Sequence, residues 1–170
     1  MNLGTSQLTG RFVTESLTSE ILKVNVDPHV IFKRAVIDSR EVTEGDLFVA
    51  LPGNRVNGHD FVKEAIDNGA TAAVIQETNQ AFTNLPTILV KQSLTALQKL
   101  ARAWRAHLQV EVIAITGSVG KTTTKRLASW VLGQYFSTSS NPRNYNNEIS
   151  VPLCLLEIKP ESQKAVIEMG

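Results

Sequence analysis

The 170-residue chain has a single cysteine, Cys154, so no disulfide can form within it. Its place in an apolar run marks it as a small core residue, and the shortage fits a reducing, cytoplasmic location. No apolar run approaches the about 18 residues of a membrane helix, so no membrane insertion is expected. The start, Met1 to Ser6, lacks the basic-then-apolar order of a secretion signal. Neither sign of charge dominates: 17 Lys and Arg face 16 Asp and Glu, for a net charge of +1. Nothing in that balance points to nucleic acid or to an anionic membrane. Internal repeats and low-complexity tracts are missing too. What is there is a globular mix, with 42% hydrophobic and 19% charged residues. The length suits one ordinary domain or two small ones, and carries no sign of oligomeric state.

Residues 1–33 have mixed polarity and weak periodicity. Beyond them the pattern sharpens. Strands are expected at 35–37 and 46–51, with a turn at Glu44-Gly45 and a break at Pro52-Gly53-Asn54. Phe61, Ala65 and Ile66 fall at helical spacing, and Gly69 follows as a terminator. Two more strands follow at 72–75 and 87–90. Ser93 is placed to cap a helix whose apolar residues, Leu94, Leu97, Leu100, Ala101, Trp104 and Leu108, recur at three- and four-residue steps. Trp104 and Trp130 both read as core residues on amphipathic faces. A buried strand at 110–115, a helix at 121–133, a helix at 147–158 with Pro152 in its first turns, and a strand at 165–169 complete the pattern.

Such alternation predicts an α/β protein with mostly parallel strands. The boundary is placed near Gln109. Residues 1–108 form a small N-terminal α/β domain, and 109–170 the opening strand–loop–helix part of a nucleotide-binding domain. That second part is expected to be truncated, with its last strand left as an exposed edge.

The segment Thr116-Gly117-Ser118-Val119-Gly120-Lys121-Thr122-Thr123 lies between a strong strand and a strong helix. Glycines at 117 and 120 let the backbone curl so that several N–H groups converge. The helix start adds its positive end, Lys121 a full positive charge against the β- and γ-phosphates, and Thr122 a hydroxyl for magnesium. These residues, Thr116 through Thr123, are the expected binding site for a nucleoside triphosphate, most simply ATP. The general pattern G-x-x-x-x-G-K-[ST] wants a glycine at position 115, where Ile115 stands.

Four ordered stretches then resemble the Mur ligase family, which builds the peptidoglycan precursor. They are the phosphate loop through Lys125, the run Asp38-Ser39-Arg40 to Leu51, the segment Asn144-Tyr145-Asn146-Asn147, and Val166-Ile167-Glu168-Met169-Gly170. The resemblance covers residues 35–170 and is greatest to the members that add D-alanyl-D-alanine to a UDP-MurNAc-tripeptide. Members that add the third stem residue share the first motif, but usually have Thr in place of Ser118. Asn57, Ser150 and Arg126 depart from the usual Asp, Gly and Glu.

The resemblance implies an ATP- and Mg2+-dependent amide ligase acting through an acyl phosphate, with UDP-MurNAc-peptide and D-alanyl-D-alanine as its small-molecule partners. It implies Lys121 as the catalytic residue, and Thr122 and Glu168 as metal ligands. By spacing alone Glu168 is a strand-end carboxylate. The implied substrate contacts are Ser39, Arg40, Asn54, Arg55 and Val56 on two loops of the uridine-binding domain, with Asn144, Asn146 and Asn147 between nucleotide and acceptor. Asp38-Ser39-Arg40 could equally be a turn with a salt bridge, and the asparagines loop and cap residues. His59 is assigned no chemistry. The family's modified lysine, second metal site and C-terminal domain would follow Gly170, so this chain alone is expected not to ligate. A GTPase reading lacks Asn-Lys-x-Asp and Asp-x-x-Gly, and a nucleotide kinase would open with its loop. A non-catalytic uridine-nucleotide-binding module stays open.

Overall fold

The computed structural model describes residues 7–53, 55–141 and 145–170. They form two compact units, 7–100 and 101–170, and the division falls inside a helix rather than in a linker.

The first unit is built on a five-stranded sheet. Four parallel neighbours, β4 (Ala35–Val36), β5 (Leu47–Val49), β6 (Ala72–Ile75) and β7 (Thr87–Val90), are flanked at one edge by antiparallel β2 (Ile21–Asn25). The apolar runs read from the sequence are these parallel strands. A parallel sheet is buried on both faces, which is why its strands do not alternate in polarity. On one face Phe48, Ala73 and Ile75 cluster with Val62 and Ala65 of α2 (Val62–Asp67). On the other face Leu47, Val49, Val74, Ile88 and Val90 are equally buried. Gly69 ends α2 as expected: its φ is +112°, and a Cβ there would meet Glu44 backbone atoms at 3.0 Å.

The elements of residues 1–33 went unread for a physical reason. β1 (Leu8–Thr9) and β3 (Ile31–Phe32) pair over two residues each. α1 (Gly10–Ser16) has seven residues, with Thr9 as its N-cap, and β2 is an edge strand whose residues are mostly exposed. No periodicity accumulates over such lengths.

Helix α3 (Ser93–His107) follows the predicted stripe, but its capping differs. The Ser93 hydroxyl is buried without a hydrogen-bond partner, and the Ser93 N–H donates instead to Gln76 Oε1 at 2.8 Å. The adjacent Gln76 N–H donates to His59 Nε2 at 3.0 Å. His59 Nδ1 in turn faces Asn57 Oδ1 at 2.8 Å, an oxygen that also accepts the His59 N–H. Only a neutral imidazole with its proton on Nδ1 satisfies both contacts. Asn57, in place of the usual aspartate, therefore accepts without adding charge. Burial holds the His59 pKa below its ordinary value, against the opposing charges of Glu77 and Asp60. The unfolded chain takes up this proton near pH 6.5, and the folded chain only at lower pH. The contribution to stability is thus fully present above about pH 6.5 and falls as pH is lowered below it. Urea unfolding at pH 7.5 and 5.5 is expected to show this loss, and His59→Gln to remove it. An unchanged pH response in the variant would refute the assignment.

The second unit is a parallel sheet of β8 (Glu111–Ile115), β9 (Thr138–Ser140) and β10 (Lys164–Glu168), in the order β8-β10-β9. The expected edge strand is therefore central. β9, with the polar sequence Thr-Ser-Ser, gave no strand signal and pairs with β10 on its far side. α4 (Lys121–Gly133) and α5 (Ser150–Leu156) complete the unit. α5 starts later than predicted, and Pro152 sits in its first turn, where a missing N–H costs nothing.

Trp104 is core, and its Nε1–H donates to the Ile158 carbonyl at 3.3 Å. Trp130 is not: it is 66% exposed, beside exposed Leu127 and Val131. Periodicity finds the apolar face of α4 but not what packs on it. The more buried face of α4 carries Thr122, Lys125, Ala128 and Ser129. Cys154 is buried as expected, and that burial pushes its thiol up to about 11. No helix among the described residues is long and apolar enough to cross a membrane.

Candidate functional site: a phosphate loop facing a buried carboxylate

β8 delivers the chain into the loop 116–120, and α4 leaves it. Gly120 has φ +80°, and no atom lies within 4 Å of where its Cβ would be. The backbone conformation, not crowding, is what requires glycine there. As N-cap, Gly120 makes no side-chain hydrogen bond to α4, so the first amides of the helix keep their donors for an anion. Lys121 folds back over the loop, its Nζ donating to the Gly117 carbonyl at 2.6 Å.

Opposite the loop, β10 ends at Glu168, which is 1% exposed. The Thr122 hydroxyl meets its two carboxylate oxygens at 3.0 and 3.2 Å. Asn146 Nδ2 donates to Oε1 at 3.3 Å, and Lys125 Nζ lies 3.3 Å from Oε2. Burial alone would raise the pKa of Glu168. The hydrogen bonds from Thr122, Lys125 and Asn146, with the Lys125 charge, outweigh it and hold the carboxyl below its usual value. The backbone is pinned as well: Asn141 Oδ1 accepts the Glu168 N–H at 2.9 Å, and its Nδ2 donates to the Glu168 carbonyl at 3.3 Å.

Gly120, Lys121, Thr122, Thr123, Asn146 and Glu168 line one open cleft of about 350 Å³. Residues 115 and 168, far apart in sequence, become partners because β8 and β10 pair in register. A hydroxyl and a carboxylate are hard oxygen donors, the kind magnesium takes. No group of three or more His, Cys, Asp or Glu that could hold a metal occurs among the described residues. Magnesium commonly relies on one or two carboxylates, with nucleotide phosphates and water supplying the rest.

The structure brings Thr122, Lys121, Asn146 and Glu168 together around one cleft. It gives Asn147 another place: Asn147 Oδ1 accepts from the N–H groups of Ile149 and Ser150 at 3.0 and 2.8 Å, capping α5 outside the cleft. Asn144 and Asn54 lie outside the described residues. Sequence reasoning did not assign Lys125 or Asn141 to the site. Lys125 left a signal in its i, i+3 spacing from Thr122, which puts both on one helix face. Asn141 left none.

In the first unit, Ser39 is buried and its Oγ donates to Glu64 Oε1 at 2.9 Å. Arg40 pairs with Asp38 at 2.6 Å, and that hydrogen bond lowers the Asp38 carboxyl to about 2. The turn-with-salt-bridge geometry is thus present. Arg55 and Val56 are exposed on the second loop.

Residues 33–105 match the family model described as "Mur ligase family, catalytic domain", and 115–170 the one described as "Mur ligase middle domain". A UDP-N-acetylmuramoyl-tripeptide–D-alanyl-D-alanine ligase of Synechocystis is 39% identical over 91% of the chain and 34% of that protein. The crystal structure of MurF from Acinetobacter baumannii superposes with a TM-score of 0.86 at 32% identity, over 98% of this chain and 36% of that one. MurF from Thermotoga maritima in complex with ADP gives 0.70 at 38% identity, over 80% and 31%. The chain spans about a third of the length of these relatives. Two family models in chain order, together with relatives and structures of the same name, place it: the chain belongs to the Mur ligase family.

Proposed function

We propose that the protein to which this chain belongs is an ATP-dependent amide ligase of peptidoglycan precursor synthesis, joining D-alanyl-D-alanine to UDP-MurNAc-tripeptide. The observation that carries the reading is the meeting of Thr122 Oγ1 with the Glu168 carboxylate, at 3.0 and 3.2 Å, at the mouth of a loop whose helix begins with Lys121. Residues 1–108 serve as the uridine-nucleotide domain, through Ser39, Arg40, Asn54, Arg55 and Val56. Residues 109–170 open the ATP domain. Asn144 and Asn146 line the gap toward the acceptor, whereas Asn147 acts by shaping the segment that carries them. The reaction is cytoplasmic.

ATP lies with its phosphates over Thr116 to Thr123, held by the loop amides and the α4 N-terminus. Lys121 leaves the Gly117 carbonyl for the β–γ bridge, where charge builds as the γ-phosphoryl moves to the substrate carboxylate. Thr122 and Glu168 hold Mg2+, which when bound neutralises phosphate charge. The dipeptide amine then attacks the acyl phosphate and displaces phosphate.

The test is phosphate release from ATP by the whole protein. Release at about 1 per second or faster is expected only with UDP-MurNAc-tripeptide and D-alanyl-D-alanine both present. Release with UDP-MurNAc-dipeptide and a free amino acid instead would assign the protein to the third-residue ligases. UDP binding without turnover on either pair would leave a non-catalytic uridine-nucleotide module.

A further inference from the structure

Glu168 is 1% exposed, and a carboxylate so deep needs a counter-charge. Two lysines one helical turn apart are available on α4, and they do different things. Lys121 lines the cleft and lies on the Gly117 carbonyl. Lys125 does not line the cleft. It sits behind the carboxylate, its side chain 5% exposed, with Nζ 3.3 Å from Glu168 Oε2. That same oxygen accepts from Thr122 Oγ1 at 3.0 Å. Lys125 therefore meets the cleft through Glu168, and it holds the oxygen that a cation on Thr122 and Glu168 would need.

We propose that Lys125 is a positioning residue that acts as a resident counter-ion, holding the Glu168 carboxylate aimed at Thr122 until a divalent cation arrives and competes for it. The inference rests on the proposed metal role of Thr122 and Glu168. Its consequence is an order of loading. Glu168 and Lys125 together carry no net charge, so a bare divalent cation meets little attraction in the cleft. A cation accompanied by nucleotide phosphates brings its own negative charge and is held. The pair thus favours the metal–nucleotide complex over the free metal.

The test uses the full chain, Mn2+ as the probe, and electron paramagnetic resonance to count free ion, with melting temperature measured alongside. Lys125→Met keeps the length of the side chain and removes the charge. It is expected to melt lower than the parent without metal and to bind Mn2+ at least about 10-fold more tightly in the absence of nucleotide, because the repelling cation is gone. Added Mn2+ should recover more of its melting temperature than it adds to the parent's. Lys125→Arg keeps the charge and should stay within about threefold of the parent's affinity. A Lys125→Met protein that melts lower but binds Mn2+ as the parent does would overturn the proposal, leaving Lys125 a structural ion pair only. Mn2+ bound by neither protein even with ADP present would overturn the metal site itself, and the counter-ion role with it. If Lys125→Met is too unstable to titrate, the 15N resonance of the Lys125 ammonium in the parent chain decides. It should move when MgCl2 is added to the ADP-saturated chain, and a resonance that stays in place would refute the competition.

Discussion

Lys121→Ala in the whole protein is expected to lower the rate of phosphate release by about 100- to 1000-fold, the loss of about 3–4 kcal/mol of transition-state stabilisation. Its ammonium is the only full positive charge among residues 116–123. Its Nζ donates to the Gly117 carbonyl, 2.6 Å away, an acceptor it can exchange for a phosphate oxygen. The alanine variant keeps the loop amides, the glycine at φ +80° and the N-terminus of α4. Part of the ATP affinity should therefore survive, and the deficit should appear mainly in kcat. Affinity for the UDP substrate should barely change, because Ser39 and Arg40 belong to the other compact unit. Steady-state kinetics with both substrates varied separate these terms. A rate within about threefold of the parent would remove Lys121 from the chemistry, and with it most of the case for a ligase.

The loop was the most legible part of the site because its residues are contiguous and each glycine has a backbone reason. Glu168 was legible only by resemblance. Its partnership with Thr122 spans 46 positions and exists because β10 pairs in register beside β8. A sequence read by local period carries no information about strand order. The same gap hid Lys125, which as an α4 residue looks like any solvent-facing lysine until β10 supplies a carboxylate beneath it. Asn147 is ambiguous for a different reason. Asparagine favours both caps and polar clefts, and only the contacts to Ile149 and Ser150 separate the two.

In the fold, legibility followed length and burial. The runs 72–75 and 87–90 are strands at those bounds, and the helix at 93 starts where its stripe starts. Both strands are central and buried, so apolar character persists along them. β9 and β2 were missed because one is three residues long and the other is a mostly exposed edge. Missing β9 also misplaced β10, since a strand with one known neighbour looks like an edge. Trp130 shows the complementary limit: helical period predicts a face, and the partner of that face is a tertiary fact.

Phe48→Ala is expected to destabilise the first unit by about 3–5 kcal/mol, a large part of the about 5–15 kcal/mol by which a domain is ordinarily stable. Phe48 is fully buried at the middle of the parallel sheet, within the cluster of Val36, Val62, Ala65, Ala73, Ile75 and Phe82. Most of those neighbours are small or β-branched residues, or are fixed on the sheet. They cannot close over the space, so the cavity term adds to the lost transfer energy. Fluorescence would not report the change well. Both tryptophans and both tyrosines, Trp104, Trp130, Tyr135 and Tyr145, lie in the other unit. Amide exchange does report it. The Ala50 N–H donates to Val74 O and the Ala73 N–H to Pro86 O, each at 2.9 Å, so both amides are released only when the sheet opens. Their exchange should accelerate by about two to four orders of magnitude in the variant. The Met169 N–H, bonded to Ile115 O in the three-stranded sheet, serves as a reference and should change less, because the cluster around Phe48 lies wholly in the first unit. Phe48→Leu, which fills most of the space, should cost less than about 1.5 kcal/mol. An acceleration below about tenfold at Ala50 and Ala73 in Phe48→Ala would mean that this cluster does not hold the sheet together. The loops carrying Ser39, Arg40, Arg55 and Val56 would then owe their placement to something other than the core beneath them.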